Sequence, residues 1–140
     1  MKFTKEEISL CKQIAKRYRK EIEFGSSVYQ KDKIYIVNRI RIRKTWTSYY
    51  LISKDVDEIA MVDNEKYRAK WEFLIEKFTP LWTISDCLSW LDKIKDITLR
   101  ICSHPDFNQT TVEYDDSEYY GTTPLEACLK AVLAVLEEKK

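Results

Sequence analysis

The stretch Thr83-Ile84-Ser85-Asp86-Cys87-Leu88-Ser89-Trp90-Leu91-Asp92-Lys93-Ile94 decides how the rest of this chain is read. Its serines, aspartate and cysteine are the ingredients of a nucleophilic site, or of a helix pressed into a core. The helix accounts for every residue. Thr83 caps it, Asp86 at the third helical position answers the cap, and Trp82 and Cys87 occupy the two staple positions. Ile84, Cys87, Leu88, Leu91 and Ile94 then form one apolar stripe. Ser85, Ser89, Asp92 and Lys93 face outward. A nucleophile here would need a base, and the only histidine, His104, lies elsewhere.

Two more helices carry the same start signal. Thr4 with Glu7 makes a capping box before Ile8, Cys11, Ala15, Tyr18 and Ile22, which predicts a helix over 4–23. Thr123, Pro124 and Glu126 open a helix over 124–138. In that helix Leu125, Cys128, Leu129, Val132 and Leu136 make a core face, and Ala127, Ala131 and Ala134 a second one. A helix so apolar on most sides is expected between layers or at a homo-oligomer contact.

Strands lie between the helices. In "KIYIVNRIRIRK", residues 33–44, the isoleucines 34, 36, 40 and 42 alternate with Tyr35, Val37, Arg39, Arg41 and Arg43. This predicts one isoleucine face that is buried and one arginine face that is not. "TWTSYYLIS", residues 45–53, is the expected hairpin partner. Tyr67, Trp71, Leu74 and Phe78 are spaced as a further helix ending before Pro80. Residues 97–103 alternate as a strand, and "TTVEY" and "EYYG" read as two more around a turn at Asp115-Asp116-Ser117. The fold class is therefore α+β, an antiparallel sheet covered by helices (an α/β sandwich), in the order α-β-β-(α)-α-β-β-β-α. Residues 1–77 and 78–140 are the expected halves of one compact fold.

Composition narrows the function classes. The chain has 140 residues, 44% hydrophobic and 34% charged, with two glycines and three prolines. That is enough for a core and too little for a flexible linker. No apolar run reaches the roughly 18 residues of a membrane span. The opening "MKFTKEEISLCKQ" lacks an apolar h-region, so a cytoplasmic chain is expected. Cys11, Cys87, Cys102 and Cys128 are scattered without a C-x-x-C pair, which argues against zinc and disulfides. No Gly-rich phosphate loop or catalytic triad is present, so neither an enzyme nor a cofactor is expected.

Three constellations remain. Cys102 and His104 could pair as nucleophile and base, but no third orienting group is evident. Asp115, Asp116 and Glu118 could meet a cation, yet they lack a known loop spacing. The arginine ladder says more. Residues 1–60 hold 14 Lys+Arg against 8 Asp+Glu, and residues 61–140 hold 10 against 15. Arg39, Arg41 and Arg43, with Tyr35, Trp46 and Tyr49 nearby, form the expected partner-binding surface. Arginine and aromatic residues dominate protein hot spots. Basic residues among aromatics also suit nucleic acid.

The two capped helices carry a resemblance. "FTPLWTISDCLSWL" (78–91) and "EYYGTTPLEACLKAVLAVLEE" (118–138) resemble the C-terminal pattern of small phage and prophage proteins. There a "PTLSQLLEWL"-like helix precedes a β-meander and a "G-x-TPxEAL" helix in an α-β-α sandwich. The resemblance covers about residues 78–138. It implies origin and fold, and brings no catalytic residues. Together with the lack of a catalytic constellation and the Arg/Tyr/Trp-rich surface, it makes an accessory protein that binds a host or phage protein, inhibitor-like, in the host cytoplasm, the leading expectation.

Overall fold

The computed structural model describes residues 3–53, 58–63, 72–74, 77–94, 100–104 and 109–138, with backbone alone at 72–74 and 100–104. Among these, three helices and nine strands divide between two compact units. One unit joins residues 1–19 to 82–140, and the other is residues 20–81. The first helix thus belongs with the C-terminal residues, and the division does not fall at residue 77.

In the first unit, each helix begins at a threonine. For α1 (Lys5–Ala15), Thr4 Oγ1 accepts the Glu7 N–H at 3.1 Å, and Glu7 Oε1 accepts the Thr4 N–H at 2.7 Å. For α2 (Ile84–Ile94), Thr83 and Asp86 make the same exchange at 3.1 and 2.8 Å. For α3 (Pro124–Glu138), Thr123 Oγ1 accepts the Glu126 N–H at 3.1 Å. These side chains satisfy N–H groups that a helix start leaves without partners.

α3 is the centre of this unit. It packs against α1, α2 and two strands of the sheet β7 (Arg100–His104), β8 (Gln109–Tyr114) and β9 (Ser117–Gly121). Leu125, Ala127, Cys128, Leu129, Ala131, Val132 and Val135 are all buried. Both expected apolar faces are thus largely used inside the unit, with Leu133, Ala134 and Leu136 half-buried. Close approach is possible because Gly121 has no side chain. A Cβ there would lie 2.7 Å from Ala127 N and 2.9 Å from Glu126 Cβ. The Tyr114 hydroxyl donates to the Leu91 carbonyl at 2.7 Å, tying β8 to the last turn of α2.

α1 is shorter than its periodicity predicts. It ends at Ala15, where the Arg17 and Tyr18 N–H groups both donate to the Ile14 carbonyl. Its buried stripe is Glu7, Leu10, Cys11 and Ile14. The expected stripe through Ala15, Tyr18 and Ile22 fails because Tyr18 and Ile22 pack in different units. Tyr18 packs against Trp82 and Trp90, with ring centroids 6.1 and 5.8 Å away. Ile22 joins the core of the other unit.

That second unit is a six-stranded sheet. Its strands are β1 (Ser27–Gln30), β2 (Lys33–Ile42), β3 (Thr47–Ile52), β4 (Ile59–Val62), β5 (Glu72–Leu74) and β6 (Thr79–Leu81). The order is β5-β4-β3-β2-β1-β6, antiparallel except for the β4–β5 pair. The helix expected through Leu74 and Phe78 is not formed where the chain is described. Glu72–Leu74 is a strand beside β4, and Phe78 fills the core. Residues 65–71 of that expected helix lie outside the described residues. Edge pairing with β4 outweighs a short helical periodicity there.

β2 overturns the simple alternation. Val37 pairs with Leu51 and Arg39 with Tyr50, so Asn38 is an extra residue, a β-bulge. Before it, Tyr35 and Val37 face the core. After it, the even residues do, and Ile40 packs against the cluster. The expected single isoleucine face is therefore split. Ile36 and Ile42 are 46% and 77% exposed.

Candidate functional site

The β2–β3 hairpin carries the predicted site residues, and the bulge sorts them. Past Asn38, Arg39 and Arg41 share the sheet face opposite Ile40. Arg39 lies across from Tyr50, its guanidinium carbon 4.2 Å from the ring centroid. Its Nη2 also lies 3.0 Å from Glu58 Oε1. Arg39 is thus already met by a π face and a carboxylate of its own unit. An exposed pair of this kind contributes about 0–1 kcal/mol.

Two predicted aromatics stand elsewhere. Tyr35 precedes the bulge and is buried edge-on to Phe78, with centroids 5.9 Å apart. Tyr49 pairs with Ile40 and Met61 on the core side. Its phenol is pushed above the ordinary value by burial first, then by Asp63 and Glu21. Neither ring joins the arginines. Tyr50 and Glu58 do, and sequence reasoning missed both. The Tyr49-Tyr50 doublet was the signal, but only the register says which ring meets Arg39.

The far end of the hairpin is more open. The Arg43 N–H donates to the Trp46 carbonyl at 2.8 Å and closes a loop of four residues. Arg41, Ile42, Arg43, Lys44 and Thr45 are exposed, and Trp46 is half-buried. Among the described residues no carboxylate pairs with Arg41, Arg43 or Lys44. Asp63 instead accepts the Thr47 N–H at 2.7 Å, and its own N–H donates to the Thr47 carbonyl at 3.2 Å. These bonds hold the start of β3 against the end of β4. The hairpin therefore presents Ile42 on one face of an anchored ribbon and Arg41 on the other.

The other constellations resolve differently. The side chains of Cys102 and His104 lie outside the described residues. Their backbones pair with Thr111 and Gln109. Asp115 and Asp116 form the two-residue turn of the β8–β9 hairpin, with φ of 50° and 62°. Among the described residues no three His, Cys, Asp or Glu side chains converge as metal ligands. Cys11, Cys87 and Cys128 are buried and in no disulfide, and burial pushes the Cys128 thiol up to about 11. They behave as small core side chains. No helix among the described residues is long and apolar enough to cross a membrane.

Comparison with family models, with curated proteins and with solved structures finds no match.

Proposed function

We propose that the chain acts by non-catalytic binding of another protein, through the end of the β2–β3 hairpin. The observation that carries this reading is Ile42, 77% exposed at the end of β2, with Arg41 on the opposite face of the ribbon. An aliphatic residue held in water gains only when a partner covers it. The guanidiniums at the same hairpin end fit a partner that meets the ribbon with an apolar patch on one face and carboxylates on the other. The resemblance of residues 78–138 to small phage proteins supports an accessory, inhibitor-like role toward a host factor or defence component in the host cytoplasm. Arg41, Arg43 and Lys44, which meet no carboxylate among the described residues, favour with Trp46 a second reading, a β-ribbon on nucleic acid.

Pull-down from a bacterial lysate, with and without nuclease, separates the two. Ile42→Asp, and separately Arg41→Gln with Arg43→Gln, are expected to keep the unfolding midpoint and lose the captured protein. Capture that survives Ile42→Asp removes the hairpin from the reading. Capture abolished by nuclease favours nucleic acid.

A further inference from the structure

β9 is an edge strand. β8 lies on one side of it, and among the described residues no backbone group pairs with its other side. The turn at Asp115-Asp116 fixes which groups are left open. In a hairpin closed by two residues, the flanking pair exchanges both backbone hydrogen bonds, and bonded pairs then alternate with non-bonded ones. The flanking pair here is Tyr114 with Ser117, followed by Glu113 with Glu118, Val112 with Tyr119, Thr111 with Tyr120 and Thr110 with Gly121. Ser117, Tyr119 and Gly121 therefore turn their N–H and C=O toward β8. Glu118 and Tyr120 turn theirs to the open edge.

The two faces of this edge differ. Gly121 lies against α3, and Val112 and Tyr114 are buried, so that face is the inner one. The outer face carries Glu118 and Tyr120, whose hydroxyl donates to the Glu118 carboxylate, with Glu113 across from Glu118. Asp115 and Asp116 stand at the end of the same hairpin. A strand laid here meets carboxylates on its outer side and, on its inner side, the half-buried Tyr119 of β9.

We propose that β9 accepts an extended segment of another protein as a fourth strand, with Lys or Arg at alternate positions and apolar residues between them. Backbone bonds to Glu118 and Tyr120 supply the pairing, and the carboxylates select the basic side chains. A second copy of this chain is a poor occupant. Pairing β9 with itself would bring two sets of Glu113, Asp115, Asp116 and Glu118 together. This inference is independent of the β2–β3 hairpin reading.

The test uses the full chain and the peptide acetyl-Lys-Val-Lys-Val-Lys-Val-amide. The peptide is expected to slow amide exchange at Glu118 and Tyr120 and to leave the already paired Tyr119 unchanged. Tyr120→Pro removes a donor that faces outward, so the β8 pairing survives. It is expected to weaken binding at least about tenfold, as loss of a hydrogen bond and entry of a bulky ring imply. Glu118→Lys, a surface change, is expected to weaken binding as well, and the Glu-Val peptide is expected not to bind. The proposal falls if both variants bind as the parent does, or if Glu118 and Tyr120 exchange slowly without peptide. It also falls if sedimentation shows a dimer that Tyr120→Pro dissolves, because a second copy then holds the edge.

Discussion

One unit is organised around a helix and the other around a strand. α3 packs against α1, α2, β8 and β9, and its backbone bonds are internal. β2 is the longest strand, and every one of its ladder bonds goes to β1 or β3. A helix is specified by residues three and four positions away. A strand is specified by partners the chain brings from elsewhere, and one extra residue turns half of it over. The first unit therefore depends on local caps and one close approach, the second on register.

Deleting Asn38 attacks the register directly. Without the bulge, Tyr35 and Val37 cannot face the same core as Ile40. Exposing the two buried side chains costs about 3–6 kcal/mol, at roughly 1.5–3 kcal/mol each. Urea denaturation should show that loss, with faster amide exchange across β1, β2 and β3. Unchanged stability would mean the bulge is incidental.

In the helical unit the sharpest single position is Gly121. A methyl group there meets the Ala127 backbone at 2.7 Å, which a side-chain rotation cannot relieve. Gly121→Ala should destabilise by about 1–3 kcal/mol through overpacking. The shift should appear in the fluorescence of Trp82 and Trp90.

The same contrast explains what could be read from the sequence. Thr4, Thr83 and Thr123 announced three helix starts, because a cap is a contact over three residues. The three strands after α2 alternate in short runs and also emerged. The arginine face was only half legible. Nothing local at Asn38 marks a bulge, so alternation groups Tyr35 with arginines it does not face. Periodicity overextends α1 because Tyr18 and Ile22 continue its period while packing in different units. The strands β1, β4, β5 and β6 are three or four residues long, too short to show a period.

Caps are the next step down in size. Thr83→Ala removes one capping oxygen and should cost about 1 kcal/mol. Thr123→Ala should cost more, about 2 kcal/mol. Its hydroxyl also donates to Glu7 Oε2 at 2.6 Å, and Glu7 is buried. A double-mutant cycle of Thr123→Ala with Glu7→Gln should show a coupling that Thr83→Ala with Glu7→Gln lacks. Glu126, in the first turn of α3, adds a pH signature. Burial opposes its ionisation, but bonds from Thr122 and Lys130 prevail and hold its carboxyl below the ordinary 4.5. A lowered folded value means its contribution is present above about 4.5 and is lost as pH falls through the folded value. Glu126→Gln should flatten stability against pH in that acidic window.

The smallest effects come from the two turns that the units share in kind. Lys31-Asp32 closes β1–β2 and Asp115-Asp116 closes β8–β9, all four residues with positive φ and none of them glycine. A side chain in that region is strained, and glycine at the second position relieves it. Asp116→Gly also removes a carboxylate from beside Asp115 and Glu118, so it should stabilise by about 0.5–1 kcal/mol. Asp32→Gly relieves similar strain but deletes the acceptor of the Tyr29 hydroxyl at 2.9 Å. It should be close to neutral, because the loss of that exposed hydrogen bond offsets the gain. The Tyr29 phenol, held above its ordinary value first by that hydrogen bond, should titrate lower in the variant. Equal gains at both turns would show that the Tyr29–Asp32 bond contributes nothing. A loss at Asp116 would show that its carboxylate, and not its backbone strain, governs the turn that sets the β9 edge.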